Sequence, residues 1–470
     1  MKNTITSLLL ASVALTACGG DSNETVAGID GRGNPVAVVS QGTITGFGSI
    51  IVNGVRFDTN GASFEIDGAA GSEADLAVGD VVIVVGTLNT GATTGVANSV
   101  FFDDVVEGPI TDIDAAASTI TVLEQLIHID ADTSFDDNIS PASIAGLALN
   151  DVVEVSGLFR ADGSVSATRI ENKPAGGEFE VTGFVSNLSG TTFMINALVV
   201  DFSAAQLDDF PSGTPENGQR VEAKGMSLGA NGQLLASRVE FKGNDLGGDD
   251  GDRLEIEGFI TRFVSATDFD VEGVPVTTNG STVYENGTAT DLALNRKVEV
   301  EGDLDANGTI VATKVEIKLA NFIRVEGLVD AVDAQSVTIF GIAIGADATT
   351  RFEDKSSADL NSFGLSDINV GDYLTTRGFE NASGVVATLV EREDFDNEVA
   401  IRAFVDSVTD PSFTVRGVSV QTNGNTVFRD LNEQVISASA FFAQASGRLV
   451  EAKGTPSNGG ILADEVELED

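Results

Sequence analysis

The sequence predicts an all-β fold made of six small tandem β-barrels. Three observations predict it. One segment pattern recurs six times over 470 residues, at a period of roughly 70–75 residues. The apolar palette is Val, Ile, Leu, Ala and 27 Phe, with two Tyr and no Trp, which favours strands. Asn-Gly and related dipeptides punctuate it in the manner of tight hairpins.

The copies run 40–106, 107–173, 178–243, 253–319, 322–393 and 398–470. In each, a first strand alternates apolar residues, as in Leu254, Ile256 and Ile260, or Val325 and Val329. A second and third strand follow in Phe269-Asp-Val271-Glu-Gly273-Val274-Pro-Val276, repeated as Phe413 to Val420 and Phe193 to Val200. Their turns are Asn53-Gly54, Glu272-Gly273 and Arg416-Gly417. Such two-residue turns need positive φ. Next comes Thr-x-aromatic, at Thr133/Phe135, Thr282/Tyr284, Thr350/Phe352 and Thr426/Phe428, and then a weakly helical or looped stretch. A fourth strand, Val298-Glu-Val300-Glu-Gly302 or Leu449-Val-Glu-Ala-Lys-Gly454, forms the last hairpin with a strand ending in Val315-Glu316 or Val466-Glu467. Its tips are Asp162-Gly163, Asn231-Gly232, Asn307-Gly308 and Asn458-Gly459.

Five to six short strands with a helical or loop insert before the fourth outline an OB-like barrel. A 70-residue barrel has a thin core, so packing against neighbours is expected to add stability. Most junctions are seamless, which predicts beads in a row. Pro174-Ala-Gly-Gly177 and the acidic stretch 244–252 are the candidate hinges.

The repeated Val-Glu-Gly strand, the Phe-x-Val-x-Gly-Val-x-Val hairpin and the closing Val-Glu strand resemble a bacterial family known as domain of unknown function 5666. That resemblance implies a secreted protein or lipoprotein carrying tandem copies, and brings no activity or site residues. Copy three lacks a clear Thr-x-aromatic, and copy two has Glu124-Gln-Leu in place of the Gly turn.

Ahead of the copies, Met1-Lys2, the apolar stretch Ile5–Leu15 and Leu15-Thr16-Ala17-Cys18 read as a signal peptide over 1–17. The tetrapeptide resembles the lipobox of bacterial lipoproteins, and Cys18 is the one cysteine in the chain. The resemblance implies lipidation at Cys18, with acyl chains as the membrane partner. Gly19 after the cysteine resembles an outer-membrane address, facing the periplasm or the cell surface. Residues 18–39 read as a flexible tether.

Seventy-two acids against 26 Lys and Arg give a net charge of −46. Such a surface repels phosphate backbones, so no nucleic-acid partner is expected. His128 is the one histidine, which excludes Ser–His–Asp and Cys–His catalysis and any metal site built on His or Cys. It should sit exposed and neutral on its strand. No carboxylate pair stands out, so no catalytic residue, no enzyme activity and no cofactor are expected. The best local motif is Asp303-Leu-Asp305-Ala-Asn307-Gly308, which matches the first six positions of a calcium loop. Position twelve is Lys314 where Glu is wanted, and the other copies have plain turns there. Asp303, Asp305 and Asn307 are therefore a weak metal candidate and a hairpin tip first. The repeated Phe residues are expected in the core. The function expected is a non-catalytic, lipid-anchored envelope protein, acting as a spacer or protein-interaction scaffold with an envelope or extracellular partner. The alternative is a ligand- or cation-binding envelope module.

Overall fold

The computed structural model describes Pro35–Glu469 apart from 90–92, 131, 244–245, 247, 249, 320–321, 382–383 and 432–433. The signal peptide, Cys18 and most of the tether lie outside the described residues. The regular structure of the described chain is almost all strand, with one five-residue α-helix, Ala438–Phe442, and four short 3₁₀ turns.

Copy four shows how one unit closes. The strands of its ring are Arg253–Ser265, Asp268–Val271, Val274–Thr277, Lys297–Leu304 and Ile310–Ile317, and a short extra strand, Val283–Glu285, runs parallel to the last. The first pairs with the second, the second with the third, and the third runs parallel to the fifth. The fifth pairs with the fourth and the fourth with the first, completing a ring. Order 1-2-3-5-4-1, with the 3₁₀ turn Ala289–Asp291 before the fourth strand, is an OB-like barrel. The other five copies close by the same pairings. In copy three the fifth strand is split into Leu234–Leu235 and Arg238–Phe241.

The turns obey the sequence. Asn53, Glu272, Phe340 and Arg416 have φ near +50° and each is followed by a Gly at positive φ. Copy two makes the same turn with Leu123 and Glu124, at φ 45° and 59°. Phe193, Phe269 and Phe413 are fully buried at the same position of the second strand, and in copy one Phe57 is buried on the third strand, opposite Ile50, as expected of core residues.

The copies are not beads in a row. The second strand covers only the far half of each long first strand, leaving the near half with one free edge. A free edge recruits another strand. Copies two and three join antiparallel through residues 106–107 and 180–181. Copies five and six join through 324–326 and 400–402. Copies one and four remain, and they join parallel, residues 38–41 against 253–256. Each pair shares one 13-stranded sheet. Copies two and three also share one hydrophobic core, as do five and six, whereas one and four keep two cores that touch through Val39, Ile83 and Val85 of copy one.

Candidate functional site

Copy two is the hub where the pairs meet. Its Ser156 hydroxyl accepts from Val81 N of copy one at 2.8 Å. The buried Arg169 donates to Val78 O of copy one at 3.1 Å and reaches Glu353 of copy five at 3.4 Å. The Glu272 carboxylate of copy four accepts from Phe159 N of copy two and from Phe259 N, both at 3.0 Å. Burial first of all lifts the Glu272 pKa to about 7.

Around this hub lies an open cavity of about 970 Å³, lined by copies one, two, four, five and six. Its lining carries eight Lys or Arg and eight Asp or Glu, in a chain whose acids outnumber its bases 72 to 26. The charges meet in pairs: Lys297 with Glu257 at 2.6 Å, Arg324 with Glu451 at 2.8 Å, Arg402 with Glu469 at 3.1 Å. Burial works against both members of the Lys297–Glu257 pair. Even so, Lys297 and Lys318 hold Glu257 below its usual pKa, and Glu257 and Asp132 hold Lys297 above its own. The cavity is thus charge-balanced in a strongly acidic molecule.

A second constellation sits where copies one, two and three meet. Carboxylate oxygens of Asp67, Asp104 and Glu180 lie within 4.8 Å of one another, as do those of Asp104, Glu107 and Glu154. Lys224 reaches Glu180 at 2.6 Å and Lys173 reaches Glu154 at 2.6 Å. Nothing in the sequence marks these residues as a group: Glu107, Glu154 and Glu180 come from three different strands and Asp67 and Asp104 from connecting segments, and only the closing of copy two and its meeting with copies one and three gather them.

The sequence candidates fall elsewhere. Asp305 Oδ1 accepts from the backbone N–H of Asn307 at 2.8 Å and of Thr309 at 2.9 Å. Its carboxylate therefore serves the hairpin tip. Asp303 lies on the fourth strand opposite Arg253. His128 is half-buried rather than exposed, with Nε2 3.2 Å from Ser164 Oγ. Burial first, then Arg160, lowers its pKa. In the acidic stretch, Gly251 N donates to Leu304 O at 2.8 Å and Leu304 N to Asp252 O at 2.9 Å, tying its end to copy four. On the outer surface Phe322 and Phe404 lie with ring centroids 6.1 Å apart and stay exposed where copies five and six pair.

Six closed five-stranded rings, joined in pairs through their first strands, define a tandem OB-like barrel protein. The chain belongs to the family described as Domain of unknown function (DUF5666), whose model matches residues 38–100, 107–171, 182–240, 257–316, 326–391 and 402–467. No curated protein matches the chain. Among solved structures it is similar to "drosophila Unr CSD456" at 15% identity, covering 46% of this chain and 98% of that one, with a TM-score of 0.12.

Proposed function

We propose that the protein is a non-catalytic, lipid-anchored binding scaffold of the cell envelope. The observation that carries this reading is the non-sequential pairing of copies. A spacer gains length by setting barrels end to end. Here Ser40 and Glu255, 215 residues apart, touch at 3.5 Å, and five copies converge on one charge-balanced cavity. That arrangement gives up reach and gains a concave surface, which suits an interaction scaffold better than a spacer. Outside the cavity the −46 charge repels other anionic surfaces, so a partner has its most favourable approach at the cavity or at the apolar Phe322–Phe404 pair. The anchor is Cys18, whose acyl chains would hold the outer membrane without a membrane-crossing helix.

The test has two arms. Cys18→Ala should move the protein from the membrane to the soluble fraction; unchanged partitioning overturns the anchor. A photo-crosslinker at Phe404 or Thr349, the latter on the cavity lining, should capture one recurring envelope protein in cells. Capture of nothing beyond background at both positions overturns the scaffold.

A further inference from the structure

We infer that the protein holds one structural calcium ion, or a cation of the same hard, divalent class, in the carboxylate cluster of Asp67, Asp104, Glu107, Glu154 and Glu180. This stands independently of the anchoring and scaffold reading above.

The sheet register supplies the first argument. Where copies two and three join, Glu107 stands directly opposite Glu180. On its other side Glu107 stands opposite Glu154 of the fourth strand. Three glutamates thus sit side by side across one sheet, an arrangement that costs stability when nothing lies between them. The equivalent junction of copies five and six avoids it, since Glu326 there faces Ala400. The row of acids is particular to the one junction that also brings in Asp67 and Asp104 of copy one.

Unsatisfied oxygens supply the second. Asp104 is 2% exposed and Glu180 is 6% exposed. Asp104 Oδ1 and Glu180 Oε1 have no hydrogen-bond partner. A buried carboxylate oxygen without a donor costs free energy that a bound cation would recover. Asp104 belongs to both carboxylate trios and so joins them.

The charge count is the third. Counting Glu171 and Glu222, which share the two lysines, and Lys242 beside Glu222, seven carboxylates against three lysines leave a formal −4 (−7 + 3), and a divalent ion brings that to −2. The ligands are all oxygen, and their flexible, irregular arrangement suits calcium better than the strict octahedron of magnesium.

Calorimetric titration of the metal-stripped protein with CaCl₂, alongside MgCl₂, tests this. One calcium per chain should bind, raising the melting temperature by at least ~2 °C at a hundredfold excess over Kd. Magnesium should bind at least about tenfold more weakly. Glu107→Gln, at a half-buried position, should weaken calcium at least about tenfold and Asp104→Asn should abolish it. Asp303→Asn/Asp305→Asn should leave binding unchanged. Hydrogen exchange on the wild-type protein should slow at residues 103–108 and 178–182 when calcium is added, a readout that does not depend on any variant folding. No heat and no added protection at millimolar calcium overturns the site. So does binding that survives Glu107→Gln but is lost in the Asp303/Asp305 variant.

Discussion

At the residue scale, the repeated letters are clips of the barrel. The Gly of the fourth strand sits at a bulge in five of the six copies, where the register shifts, as between Glu301 and Gly302 or Lys453 and Gly454. A Cβ there would lie 2.5 Å from Val311 O at Gly302 and 2.1 Å from Leu462 O at Gly454. No rotamer relieves a contact with backbone. Gly454→Ala should therefore cost about 1–3 kcal/mol in urea denaturation, while Gly459→Ala, at an open tip with positive φ and nothing within 4 Å, should cost only about 1 kcal/mol. Equal losses at the two positions would remove the bulge argument. The Thr of Thr-x-aromatic has a matching role. Thr133, Thr282, Thr350 and Thr426 each donate to the carbonyl of an Ala on the fifth strand, at 2.7–2.9 Å. Each also accepts from a backbone N–H three residues earlier. The Thr motif was legible in the sequence because the same backbone geometry demanded the same residue in four copies.

At the element scale, the deciding piece is the free half-edge of each first strand. Ser40 lies in the segment of copy one that pairs both with the fourth strand, opposite Val84, and with copy four, opposite Glu255. A strand paired on both sides tolerates proline poorly. Ser40→Pro should loosen copy one from copy four and speed proteolysis within 244–252 by at least about tenfold, a change corresponding to ~1.4 kcal/mol of lost protection. Cleavage at the wild-type rate would mean that this pairing contributes little. Sequence reasoning found each strand and missed this partnership, because alternation of apolar residues reports which face of a strand is buried and says nothing about which edge it pairs with. The same limit hid the carboxylate cluster. Nothing in the sequence singles out Glu107 or Glu180, and register alone sets them opposite one another.

At the scale of the whole molecule, charge sets the response to pH. Asp80, Glu255 and Glu272 are lifted by burial to about 7. A raised acid stabilises the fold fully below its unfolded pKa near 4 and loses that contribution as pH rises through 7. Glu391 works the other way. Burial pushes its pKa up, but Lys355 and Arg377 outweigh it and hold it at about 2, so its contribution is lost only as pH falls below about 4. Protonation also relieves repulsion within a −46 chain. The melting temperature in the presence of a chelator should thus be at least ~3 °C higher at pH 5.5 than at pH 8. A higher value at pH 8 would show that the buried acids are ionised and paired.

The sequence by itself determined the barrel: its strands, its turns, the insert before strand four and the sixfold repetition. Those features rest on local rules, on alternation, positive φ and close backbone approach, and each can be read from a few neighbouring letters. Only the tertiary structure decided that copy one pairs with copy four around copies two and three, and with it the cavity and the cluster of acids. The pairing depends on which free edges remain once neighbouring copies have joined. That is a property of the assembled chain, carried by backbone groups that every residue shares.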